Sequence, residues 1–102
     1  MNDSTLPVAC ALNDAEFRER EQAVLQKFGQ MILERKELAA GYGFRFASDD
    51  DLLREIIEMI ILERKCCPFL DFKITLKAGS ADLWLELTGA KGAKEFIAAT
   101  FK

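Results

Sequence analysis

The sequence predicts an α+β domain built on a mainly antiparallel sheet of four to five strands. The elements follow the order β-α-β-β-α-β-β-α, with the helices on one face. Three observations carry this expectation. Residues 69–77 alternate strictly between apolar and polar side chains, which is the period of a half-buried strand. Short glycine-containing turns join pairs of such runs into hairpins. Between the hairpins, apolar residues recur at helical spacing behind residues that cap helix starts.

Val8 to Leu12 is short and apolar and reads as a first strand, with Val8, Cys10 and Leu12 on one side. It can join the sheet in either direction. Asn13 is a suitable N-cap for a helix running to about Phe28, on which Phe17, Val24 and Phe28 stack at helical spacing, and Gly29 is placed to end it. Glu16, Arg18, Glu19, Arg20 and Glu21 read as its solvated, mixed-sign face. Met31 to Leu38 and Tyr42 to Phe46 form a hairpin about a turn containing Gly41. In its second strand Tyr42, Phe44 and Phe46 make one face wholly aromatic. Ser48 caps the next helix, with Asp49, Asp50 and Asp51 favoured at its positive end.

That helix runs to about Lys65 before Pro68 closes it, because proline disfavours helix in the residue before it. Leu70, Phe72, Ile74 and Leu76 then alternate with Asp71, Lys73, Thr75 and Lys77. A Gly79-Ser80 turn leads into Leu83, Leu85 and Leu87 facing inward, with Trp84, Glu86 and Thr88 facing outward. A last helix from about Lys91 to Phe101 aligns Ala93, Phe96, Ile97 and Phe101. Trp84 on the outer sheet face is either an ordinary exposed aromatic or the mark of a homodimer interface.

Composition bounds the chemistry. The chain has 102 residues, half of them hydrophobic and 30% charged, which suits one domain over 1–102 with 1–7 as a disordered N-terminus. Such a core needs no cofactor to fold. Fourteen lysines and arginines against seventeen aspartates and glutamates leave a net charge of −3 without a basic block, so nucleic acid is not an expected partner. No segment has the length or apolarity to engage a membrane, and the N-terminus lacks a signal-peptide pattern. An odd number of cysteines, two of them adjacent, argues for a cytoplasmic protein with reduced thiols. There is no histidine. That removes the usual neutral-pH base and every Ser-His or Cys-His nucleophile pair, so an enzyme is the least favoured reading.

The thiols are the most informative feature. Leu52, Leu53, Ile56, Met59 and Ile60 form the inward stripe of the second long helix, and Glu63 falls on its continuation, as does Cys67 if the helical turn persists. A carboxylate there needs a partner, for which Arg64 and Arg45 are the candidates. Cys66 and Cys67 lie at the negative end of the helix, opposed only by Arg64 and Lys65, so a low-pKa nucleophile is not expected. A disulfide between sequence neighbours would close a strained ring. As ligands the thiols fare better, since thiolates select soft ions and metal binding itself displaces the thiol proton. Cys10 can supply a third sulfur if the first strand lies beside this helix end. As structure, all three cysteines are small, burial-tolerant hydrophobes.

The run Glu63-Arg64-Lys65-Cys66-Cys67-Pro68-Phe69-Leu70, with Gly41-Tyr42-Gly43-Phe44-Arg45-Phe46 upstream, resembles a family of small bacterial proteins with the pattern Glu-Arg-x-Cys-Cys-Pro-Phe. Leu83-Trp84-Leu85, Thr88-Gly89 and Lys94-Glu95-Phe96 look like the C-terminal half of the same family, so the resemblance runs from about Val8 to the last helix. It implies that Cys10, Glu63, Arg64, Cys66 and Cys67 occupy family positions, and it assigns them no activity. Two functions therefore remain open. One is capture of a soft metal ion or thiol-reactive species by Cys66, Cys67 and Cys10, supported by Glu63, Arg64 and Arg45. The other is a non-catalytic assembly domain with structural cysteines and a sheet-face dimer.

Overall fold

Two hairpins side by side make the sheet. In the computed structural model, which describes residues 15–101, β1 (Glu34–Leu38) pairs with β2 (Gly41–Ala47), and β3 (Leu70–Leu76) pairs with β4 (Asp82–Gly89). The hairpins join through β2 and β4, giving the order β1-β2-β4-β3 with every neighbour antiparallel. The expected strand at Val8 to Leu12, the Asn13 cap, Cys10 and the N-terminal segment 1–7 lie outside the described residues.

Register explains where the core forms. Phe44 stands opposite Leu85, which in turn stands opposite Ile74; Phe46, Leu83 and Leu76 make the next row, and Tyr42, Leu87 and Phe72 the row beyond. Because strand side chains alternate, all three rows lie on one face. Phe44, Phe46, Leu83, Leu85 and Leu87 are fully buried there. The helices α1 (Ala15–Met31), α2 (Asp50–Cys66) and α3 (Ala93–Thr100) supply the opposing layer. The Phe28 ring of α1 meets Phe46 at 4.9 Å and Phe44 at 5.8 Å between centroids, the latter nearly edge-to-face. Ile56 and Met59 come from α2, and Ile97 with Phe101 from the chain around α3.

Helix α1 continues through Gly29 to Met31, where the sequence suggested a stop and a strand from Met31. Gly29 has no left-handed conformation, so it caps nothing. The extra turn places Met31 on the stripe begun by Val24 and Phe28, and these apolar contacts outweigh the cost of one glycine within a helix. The cap of α2 is Asp49 rather than Ser48: Asp49 is extended, and its carboxylate accepts the Leu52 N–H at 2.9 Å. The Ser48 N–H instead donates to the Ala81 carbonyl beside the β3–β4 turn.

On the opposite sheet face Arg45 pairs with Glu34 at 2.9 Å and Asp82 at 3.1 Å. Trp84 leans across Gly43, which leaves the indole half-buried on its own sheet rather than projecting from it.

Gly41, at the start of β2, is required by space. A β-carbon there would lie 1.8 Å from the Leu87 carbonyl oxygen, a backbone atom that cannot step aside without breaking the β2–β4 ladder. Gly79 differs: its φ of +75° is strained for other residues, yet nothing lies near it. Gly41→Ala is therefore expected to cost about 3 kcal/mol or more in urea unfolding and Gly79→Ala about 1 kcal/mol. Equal losses would contradict the register.

Candidate functional site

The last turn of α2 brings the site together. The Cys67 N–H donates to the Glu63 carbonyl at 2.6 Å, so the helical spacing persists one residue past Cys66 and Cys67 becomes the C-cap. Glu63 and Cys67 thus stack on one side, and the Cys67 thiol donates to Glu63 Oε2 at 3.4 Å. Pro68 ends the helix, and the Leu70 N–H returns to the Cys67 carbonyl at 3.2 Å as the chain turns into β3. Glu63, Cys66 and Cys67 are each at most 1% exposed.

The partner of Glu63 is not a cation. Arg45 belongs to the opposite sheet face, held by Glu34 and Asp82. Arg64, next along the helix, points outward and is exposed. No ion pair reaches Glu63 among the described residues. Its neighbour is a second carboxylate, Glu21 of α1, which is 8% exposed rather than part of the solvated face expected for it. The helix period explains the burial. Glu21 lies three, four and seven residues before Val24, Leu25 and Phe28, so it continues their inward stripe toward the end of α2. That spacing is present in the sequence; its charge conceals it.

Ligand-type atoms of Glu21, Glu63, Cys66 and Cys67 all lie within 4.8 Å of one another. Burial raises the Glu63 carboxyl to about 8, with the Glu21 charge and hydrogen bond adding to the rise and the Cys67 thiol opposing it. Glu63 Oε1 has no N–H or O–H donor among the described residues. Two carboxyl oxygens can bond to each other only when one carries a proton, and the raised Glu63 carboxyl keeps its proton through neutral pH. Burial likewise pushes the Cys67 thiol well above its ordinary value, and the Glu63 carboxylate beside it pushes further. Cys67 is thus a neutral thiol and a poor nucleophile.

The two adjacent cysteines differ in state. Cys67 is free, whereas Cys66 is disulfide-bonded. The expectation of reduced thiols therefore holds at Cys67 and not at Cys66. Because Cys67 is free, the bond is not the strained one between neighbours. Cys10, the third cysteine, lies outside the described residues.

A groove of about 550 Å³ between α1 and the end of α3 is lined by Glu21, Leu25, Gln26, Gln30, Ala99 and Thr100, and of the four cluster residues it touches Glu21 alone. None of the helices among the described residues is long and apolar enough to cross a membrane.

The raised Glu63 carboxyl makes folding pH-dependent. Unfolded, Glu63 ionises near 4.5; folded, it keeps its proton to about 8. Between these values the native state binds the extra proton, so stability is greatest below the window and falls as pH rises through it, by at most about 1.4 kcal/mol per pH unit. Urea midpoints are expected to fall from pH 5 to pH 8, and Glu63→Gln is expected to flatten that slope. A wild-type midpoint constant across this range would contradict the assignment.

Comparison of the chain with protein-family models, with curated proteins and with solved structures returns no match, which leaves the geometry of this cluster as the basis for a functional reading.

Proposed function

We propose that the protein binds a thiophilic divalent metal ion at Cys66 and Cys67, with Glu63 and Glu21 completing the donor set once Cys66 is reduced. What supports this reading is the convergence of four buried donors from α1 and α2, one of whose oxygens lacks a hydrogen-bond donor. A divalent ion at the centre of the cluster would take the place of the proton on Glu63 and of the thiol protons, since metal binding itself deprotonates its ligands. A tetrahedral ion with bonds of about 2.0–2.3 Å holds its donors about 3.3–3.8 Å apart, so the cluster would have to contract by about 1 Å. Thiolates favour soft ions and carboxylates harder ones, and the mixture suits Zn(II) or Cd(II), which tolerate both. The missing histidine is no obstacle to such a site.

The reading carries with it the resemblance to small bacterial proteins bearing Glu-Arg-x-Cys-Cys-Pro-Phe, and a reducing cytoplasm in which Cys66 is available. Cys10 remains a further sulfur that could replace a carboxylate for an ion preferring three thiolates, or for arsenite as a thiol-reactive species. Binding, not catalysis, is the role proposed. A second reading is an assembly domain with structural cysteines. It draws support from Trp84, half-exposed on a sheet face away from the core, and from Leu76, which is 53% exposed on an edge strand.

Titration of the reduced protein with Cd(II), Zn(II), Hg(II) and arsenite against excess glutathione separates the two. We expect a single Cd(II) per chain, seen as sulfur-to-metal charge transfer. It should be lost in Cys66→Ser and Cys67→Ser, and weakened at least about tenfold in Glu21→Gln. No binding above the glutathione background would leave the cysteines structural and favour the assembly reading.

A further inference from the structure

We propose that the disulfide at Cys66 and a bound metal ion are alternative claims on the same sulfur, so that the oxidation state of the protein opens and closes the site. This rests on the metal-binding reading above and concerns its regulation.

The observation behind it is the unequal state of two adjacent, equally buried cysteines. Cys66 is disulfide-bonded and Cys67 is free, yet both present sulfur to the same pair of carboxyl groups. A disulfide sulfur carries no negative charge and is a poor ligand for a divalent ion. In the oxidised protein the donor set is therefore reduced to Cys67, Glu63 and Glu21.

Opening the site needs a dithiol reductant. One of its thiolates attacks the disulfide and its second thiol closes the resulting mixed disulfide. The electron pair passes to the protein sulfurs, which leave as two thiols, while the reductant becomes a cyclic disulfide. Metal then displaces protons from Cys66, Cys67 and the Glu21–Glu63 pair. Closing runs the other way with a low-molecular-weight disulfide as oxidant. The two protein thiolates give up two electrons to form the protein disulfide, the oxidant takes up two protons to become two thiols, and the metal is released. Each state shields the other: a metal-bound Cys66 thiolate is withdrawn from exchange, and a disulfide-bonded Cys66 is withdrawn from the metal.

Cd(II) serves as the probe, with oxidised and dithiothreitol-reduced wild-type protein compared after removal of excess reductant and a check of fold by circular dichroism. Reduced protein is expected to bind Cd(II) at least about tenfold more tightly than oxidised protein. In the reverse experiment Cd(II) is expected to slow oxidation of the reduced protein by glutathione disulfide, followed by mass and free-thiol count. Cys66→Ser should bind weakly whatever the redox treatment, and Cys10→Ser tests the remaining cysteine as the disulfide partner through loss of the two-thiol mass change. Equal Cd(II) affinity in both states would overturn the gate while leaving the metal site standing. Absence of binding by the reduced protein would remove the metal reading itself, and the gate with it.

Discussion

A carboxyl group enclosed at the end of α2 without a cation is the constraint on which this end of the molecule depends. Glu63 is buried beside the turn from α2 into β3, and that turn is held by the Cys67 and Leu70 amides. It is also held by Phe69, packed edge-to-face on Phe96 of α3 with centroids 5.0 Å apart. The carboxyl is therefore kept in place by packing that involves all three helices and the sheet. A lone buried charge would cost several kcal/mol. The protein meets that cost with protons: one kept on Glu63 itself and one donated by the Cys67 thiol. Both are replaceable by a cation, and this links a structural expedient to a binding chemistry.

Sheet and helices have a different origin. Rows of side chains from three strands meet Phe28, Ile56, Met59 and Ile97 in a mainly apolar layer. Cys66 and Cys67 are buried in the same core. The cluster of Glu21, Glu63, Cys66 and Cys67 lies where α1 and the end of α2 meet. A substitution there is expected to alter chemistry more than topology.

The sheet was legible because its pattern is local. Strict alternation from Leu70 to Leu76 places Phe72 and Ile74 on the core side whatever the rest of the chain does, and Phe44 and Phe46 follow the same rule. The position of Glu63 and the persistence of the helical turn to Cys67 were legible too, because a period of 3.6 can be counted past an interruption. What escaped was decided by tertiary competition. Gly29 looked like a terminator until Met31 was drawn into the core. Ser48 was the expected cap, but its amide is held by the Ala81 carbonyl and Asp49 takes the cap position. Arg45 was a reasonable partner for Glu63 by charge alone, but its strand position puts it on the far face. Glu21 was hidden among four other charged residues. Its offset from Val24 and Phe28 was the only sign that a carboxylate, rather than an arginine, would meet Glu63.

The central claim is that carboxylates and thiols of this cluster act on one cation together. X-ray absorption at the cadmium edge of the reduced, Cd(II)-loaded protein tests it most directly, because sulfur and oxygen neighbours scatter at separable distances. The account predicts a mixed shell with both sulfur and oxygen donors, its oxygen part diminished in Glu21→Gln. A shell of sulfur alone, or of oxygen alone, would contradict it.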